Sequence, residues 1–149
     1  MKVKVKRLSS EAVIPFKTHK EDFCFDVTAV TEEEIAHNVW KYGLGLAFQI
    51  DRTSFSLSRN TLASLDLRPR SSIWKTGMVL ANSTGTIDEL YIGEVSAVFY
   101  HVMPDMPRYK INDRIGQIKL GTTLKLTFEE IDELDDTVRG SGGFGSTGK

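Results

Sequence analysis

The chain has 149 residues, 40% of them apolar, with 19 Lys plus Arg against 20 Asp plus Glu and a formal net charge of −1. That length suits one ordinary domain with a single core. The balanced charge excludes a nucleic-acid binder that works by bulk electrostatics, so an anionic ligand must be met by a few local cations. A lone cysteine, Cys24, excludes an intrachain disulfide; set between Phe23 and Phe25, it is expected to be a small buried or half-buried residue. No window approaches the length of a membrane span, and "MKVKVKRLSS" has no apolar stretch behind its charges. The expected setting is therefore cytoplasmic (a host cytoplasm if the source is viral), with no membrane and no nucleic-acid partner.

In chain order, "KVKVKRL" alternates charge and valine with period two and predicts a strand with one buried face. "FCFDVTAV" (23–30) predicts a second. "TEEEIAHNVWKY" (31–42) is ambiguous. Thr31 and Glu34 have capping-box spacing, which favours a short helix, so a turn with at most one helical turn is expected, leading into a strand over 43–51. "RTSFSLS" (52–58) and "LASLDLR" (62–68) alternate as strands do. Pro69 breaks that pattern, and 71–77 predicts one short helix ended by Gly77. "MVLAN" and "TIDELYIG" predict short strands around a turn at 83–85, and "EVSAVFYHVM" (94–103) a longer one. The segment with Pro104 and Pro107 reads as loop. "GQIKL" (116–120) and "TLKLTFEEI" (123–131) close the series. About ten short strands with regular turn signals predict an all-β sandwich or barrel. Residues 1–137 form the domain. Residues 138–149 are Gly-, Ser- and Thr-rich without apolar periodicity and read as a flexible end.

Four stretches carry candidate chemistry. In "RGSGGFGSTGK" (139–149), glycines allow backbone N–H groups to converge on phosphate oxygens, Ser146 and Thr147 add hydroxyls, and Arg139 adds a bidentate cation. Phe144 has nothing local to bury against and could stack on a flat ligand. Gly143 to Lys149 also imitates a phosphate-binding P-loop, but a P-loop needs a strand before it and a helix after it. In "RPRSS" (68–72), Arg70 and two serines at a helix start would grip an anion; a surface turn is the plain alternative. In "NSTGTIDELYIGE" (82–94), Asn82 can read a base edge, Asp88 between Ile87 and Leu90 could activate water, and Tyr91 could cover a sugar. Equally, Asp88 could close a hairpin turn. In "DRIGQIKL" (113–120), Arg114 and Gln117 flank Gly116. Taken alone, Asp113 and Arg114 read as a surface ion pair and Gln117 as an exposed strand residue.

Taken in order, these stretches resemble the five motifs of the trimeric dUTP pyrophosphatase (dUTPase) family: "FDVTA" (25–29), "PRSS", "GTIDELYIGE", "RIGQ" and "RGSGGFGSTG", with "YGLGLAFQI" similar to a family strand upstream of the second. The resemblance spans about residues 22 to 148. It implies a distorted jelly-roll-like β-barrel and a homotrimer with sites at subunit interfaces. It also implies Mg²⁺-dependent hydrolysis of dUTP to dUMP and pyrophosphate, which lowers dUTP and supplies dUMP for dTMP synthesis. By position, Asp88 would hold and deprotonate the attacking water. Asn82, with the backbone of Gly85, Thr86 and Ile87, would read uracil, and Tyr91 would pack on the deoxyribose. Arg70, Ser71, Ser72 and Gln117 would hold phosphate oxygens. Asp26 would orient Mg²⁺ through its water shell. Arg139, Phe144, Gly145, Ser146 and Thr147 would close over the nucleotide as a lid.

The chain departs from the family pattern in three places. Phe23, Cys24 and Phe25 precede Asp26 where Ala-Gly is usual, Ser72 replaces a usual Gly, and Leu90 replaces a second acid. Two alternatives use the same fold: a dCTP deaminase, which would lack the aromatic Gly-rich tail, and a non-catalytic regulatory or binding protein. The joint presence of Arg70, Asp88, Tyr91, Gln117 and Arg139 speaks against lost catalysis.

Overall fold

The structure, a computed structural model, describes residues 2–54 and 56–143. Among them, ten strands form three antiparallel sheets. β1 (Lys2–Arg7) pairs with β5 (Leu46–Asp51). A second sheet has the order β2 (Phe25–Thr28), β10 (Arg114–Leu124), β6 (Thr61–Arg68), β8 (Gly85–Asp88). A third has the order β3 (Thr31–Ala36), β4 (Val39–Gly43), β9 (Ser96–His101), β7 (Met78–Leu80). The all-β expectation holds.

Period-two alternation turns one face of each sheet inwards. Leu65 and Leu67 of β6, Ile118 of β10, Leu46 and Phe48 of β5, and Tyr42, Phe99 and Leu80 of the third sheet meet in a single core. Val3 and Val5 of β1 pack on it from the side, as the Lys-Val alternation predicts. At the centre Tyr42, Phe99 and Tyr109 meet edge-on, with centroids 5.3 to 6.3 Å apart. The Tyr42 hydroxyl donates to the Tyr109 carbonyl at 2.8 Å, so the most buried aromatic leaves no polar atom unpaired. Gly45 joins two sheets at φ +61°, and a Cβ there would lie 2.9 Å from Val30 Cγ2. Only glycine meets both demands. Its N–H donates to the Glu94 carboxylate at 2.9 Å.

Four local expectations are corrected. Residues 31–42 form a hairpin without a helical turn. The two capping-box residues serve it: Thr31 Oγ1 accepts the Gly43 N–H at 3.1 Å, and Glu34 accepts the N–H of Asn38, which turns the chain at φ 58°. Burial of Tyr42 and the stacking of Arg108 on Trp40, 3.5 Å from the ring centroid, override the local signal. The described residues of 52–58 form no strand: Arg52–Ser54 is a 3-10 turn. Asp51 Oδ1 accepts from Thr53 N–H and hydroxyl at 3.0 and 2.6 Å, a local alternative to sheet pairing. The two closing strands are one, which stops at Leu124 because its partner β6 begins opposite at Thr61. Residues 125–131 lie beyond any partner strand among the described residues. The short helix after Pro69 is also a 3-10 turn, Ser71–Lys75.

Arg108 also bonds Glu32 at 3.1 Å, fastening the hairpin to the loop before β10. That hydrogen bond, with burial working against it, holds the Glu32 carboxyl below the ordinary range. A depressed folded value means stability that is complete above the unfolded value and lost as pH falls through the folded one. Glu32→Gln should therefore cost about 1 kcal/mol near neutral pH. In thermal melts across a pH series, its deficit against wild type should shrink to nothing on acidification.

Candidate functional site

Sheet register places the candidate residues in rows on the polar face of the second sheet. Asp26, Gln117 and Arg68 form one row across β2, β10 and β6; Lys119, Asp66 and Thr86 form the next across β10, β6 and β8; Gly121, Ser64 and Asp88 form a third. Two clefts result.

The first cleft, of about 220 Å³, is lined by Lys17, Thr18, Asp26, Arg70 and Gln117, with Cys24 half-buried in its wall. Asp26 is 5% exposed. Its Oδ1 accepts from Arg70 Nε at 3.0 Å and Gln117 Nε2 at 3.2 Å, and its Oδ2 from Arg114 Nη1 at 2.9 Å. Arg70 sits in extended backbone at the start of the 3-10 turn, and its Nη1 reaches Ser72 Oγ at 3.5 Å. Ser71 is exposed beside it. The structure thus brings together Asp26, Arg70, Ser72 and Gln117 from three distant stretches.

The second cleft, of about 340 Å³, is lined by Lys41, Thr86, Ile87, Asp88, Tyr91, Glu94, Val95 and Ser96. Asp88 ends β8. Its carbonyl accepts the Tyr91 N–H at 3.0 Å, and the Tyr91 hydroxyl donates to the Glu94 carbonyl at 2.9 Å, so a tight turn holds acid and ring on one wall. Both Glu89 carboxylate oxygens bond Arg52, which also donates to the Thr61 carbonyl at 2.9 Å. The Arg52 hydrogen bond holds the Glu89 carboxyl below its ordinary range and buttresses the turn from behind. Asn82 and Gly85 lie at the far end of β8. A Cβ on Gly85 would sit 3.4 Å from Asn82 Nδ2, so the two residues stand side by side. β7 and β8, which flank this turn, belong to different sheets.

The two clefts are not one site within a chain. Gln117 and Asp88 lie two strands and four residues apart, roughly 17 Å by strand spacing and rise. Arg139 stands on an exposed turn, where its Nε donates to the Gly142 carbonyl at 3.1 Å. The expected roles of Phe144, Gly145, Ser146 and Thr147 lie outside the described residues.

Lys17 and Lys41 stand in no motif of the sequence, and Arg114 pairs with Asp26 rather than with Asp113. Asp113 instead accepts the Lys110 N–H at 2.7 Å. Gln117 is half-buried on the same Asp26. A register irregularity between Arg114 and Gly116 lets residues three apart on one strand reach the same carboxylate. No spacing rule for a regular strand finds such a pair.

Among the described residues, no group of three His, Cys, Asp or Glu side chains could hold a metal, and no helix is long and apolar enough to cross a membrane. Asp26, the expected outer partner of Mg²⁺, has both carboxylate oxygens engaged by two guanidiniums and an amide. Those surroundings do not fit a cation-holding group.

A dUTPase family model matches residues 11–148. A deoxyuridine 5'-triphosphate nucleotidohydrolase of Nautilia profundicola is 36% identical over the full length of both chains. One of Corynebacterium glutamicum is 32% identical, covering 99% of this chain and 95% of its own. The solved dUTPase of Staphylococcus bacteriophage 80alpha, as a point mutant with dUpNHpp, superposes with a TM-score of 0.73 at 21% identity over 99% of each chain. A mutant dUTPase of phage phi11, described with a structural Mg(II) ion, superposes at 0.65 and 17% identity over 91% of this chain and all of its own. On the family match and full-length relatives, this chain belongs to the dUTPase family.

Proposed function

We propose that the protein hydrolyses dUTP to dUMP and pyrophosphate at sites shared between the subunits of a homotrimer. The observation that carries this reading is the pairing of an anion cleft around Arg70 and Gln117 with a carboxylate-and-aromatic cleft around Asp88 and Tyr91, in a chain matched end to end by dUTP nucleotidohydrolases.

Tyr91 would pack on the deoxyribose and leave no room for a 2′-hydroxyl. Asn82 and the backbone of Gly85, Thr86 and Ile87 would pair with uracil. Arg70, Ser71, Ser72 and Gln117 would hold phosphate oxygens. Asp88 would take a proton from water as its oxygen attacks the α-phosphorus. The bond from that phosphorus to the bridging oxygen breaks, and pyrophosphate leaves. Mg²⁺, the cofactor the family resemblance implies, would when bound supply neutralisation of the triphosphate's charge. Arg139 and the residues from Phe144 to Thr147 would close over the nucleotide.

Clefts roughly 17 Å apart cannot both touch one α-phosphorus. A second subunit resolves this by placing its Asp88 cleft against its neighbour's Arg70 cleft. The chain has surface to spare for such contacts. Leu124, Leu126 and Phe128 alternate with polar residues along the chain and are all exposed, Phe128 at 97%. An apolar groove lined by Val3, Val5, Phe25, Leu65, Ile118 and Leu120 lies open on the same molecule. Phe128→Asp should therefore shift sedimentation velocity from trimer to monomer; an unchanged trimer would remove this segment from the interface.

The reaction itself is tested with dUTP, dCTP, dTTP and UTP plus Mg²⁺, assayed for pyrophosphate and for ammonia. Pyrophosphate from dUTP alone is expected; ammonia from dCTP would point to a deaminase. In the same assay, Asp88→Asn should lower kcat by roughly 10³-fold with dUTP affinity retained. Deletion of 139–149 should lower kcat/KM by roughly 100-fold without changing the melting temperature, because its Gly-, Ser- and Thr-rich sequence offers no apolar periodicity to pack.

A further inference from the structure

We propose that Asp26 is a positioning residue that locks Arg70 and Arg114 into a pair of guanidiniums at the phosphate cleft, and that Arg114 is a further phosphate-binding residue. This rests on the dUTP hydrolase reading of the same cleft.

Asp26 is held from every side. Its N–H and carbonyl both bond Phe16, at 2.7 and 3.3 Å, and its register partner on β10 is Gln117. With the backbone fixed and the side chain 6% exposed, the carboxylate has one place to be. Arg70 and Arg114 converge on it from positions 44 residues apart, each giving a charge-assisted hydrogen bond to a different oxygen. Arg114 Nη1 also lies 3.4 Å from Thr18 Oγ1, on the wall of the cleft. The register irregularity before Gly116 is what turns Arg114 to this side.

Charge decides what such a cluster receives. Two guanidiniums around one carboxylate leave one net positive charge, and Lys17 adds another at the cleft wall, offset by Asp22 at its rim. A divalent cation is repelled from this centre, and a phosphate is attracted. The free donors have the right form. Arg70 uses Nε and Nη1, and Arg114 uses Nη1; Nη2 of the first, and Nε and Nη2 of the second, have no protein partner among the described residues. A guanidinium anchored by one edge presents the other to phosphate in a fixed plane. Asp26 therefore acts through the arginines, and its worth lies in orienting them before the nucleotide arrives.

The test is calorimetric binding of the non-hydrolysable α,β-imido analogue of dUTP to the full-length protein, in EDTA and again with Mg²⁺. An arginine clamp works without metal. Asp26→Asn and Arg114→Gln should each weaken binding in EDTA by roughly tenfold, and Arg114→Lys should recover part of the loss. The double variant should be little worse than the poorer single one, since both break one device. A merely structural role would lower the number of competent sites and leave the affinity of those remaining unchanged. The proposal is overturned if Asp26→Asn binds normally in EDTA and only raises the Mg²⁺ needed for turnover. It is equally overturned if Arg114→Gln binds as wild type does. Arg114 is surface-exposed, so its variants decide the question even if Asp26→Asn does not fold. Wild-type protein that neither binds the analogue nor hydrolyses dUTP would overturn the parent reading instead.

Discussion

The hydrogen-bond ladder along β10 is the constraint on which the rest of the molecule depends. This eleven-residue strand pairs with β2 at one end and with β6 from Gln117 onwards. Its inward residues, Ile115 and Ile118, lie in the core, so a one-residue slip would exchange the core face for the polar face along the whole strand. Register alone then sets Gln117 between Asp26 and Arg68. The same ladder carries Arg114 across an irregularity to the same carboxylate. Fold stability and the geometry of the anion cleft are thus one property of a single strand.

The two clefts divide the chemistry by charge. Around Asp26 the cations outnumber the acids, which suits a polyphosphate. Around Asp88 the wall carries two acids, Asp88 and Glu94, against Lys41, and an aromatic ring. Glu94 is already used: its Oε1 accepts the Gly45 N–H, leaving Asp88 as the acid on that wall with no protein hydrogen bond to its side chain among the described residues. An acid free of partners beside an aromatic, and basic groups tied to a buried acid elsewhere, are what separated base and phosphate-holding roles require. The proposed sharing of sites between subunits rests on the distance between these clefts, because a nucleotide's phosphorus would have to meet both.

Local and long-range signals disagree where the sequence reading failed. Thr31 and Glu34 are spaced to cap a helix, yet the same hydrogen-bonding groups close a hairpin as well as a helix end, and burial of Tyr42 with the Arg108–Trp40 stack decides between them. "RTSFSLS" has the period of a strand, but its described residues pair with no strand, and Asp51 draws Thr53 into a turn. β10 ends opposite the first residue of β6, a limit written about sixty residues away. In each case the deciding contact lies outside the stretch that was misread.

The all-β class, the strands with clean alternation and buried faces, and the residue types of the candidate site in their order are all legible in the chain of letters. Side-chain period and residue chemistry are local properties, and they are readable one stretch at a time. Three further facts needed the folded molecule: Asp26 is surrounded by Arg70, Arg114 and Gln117, Asp113 leaves Arg114 free for it, and Asp88 stands in a separate cleft. They depend on register and on a bulge, which place residues from stretches 44 to 91 apart within hydrogen-bonding distance. Such distances are fixed by the pairing of strands, and strand pairing is settled by the whole core at once.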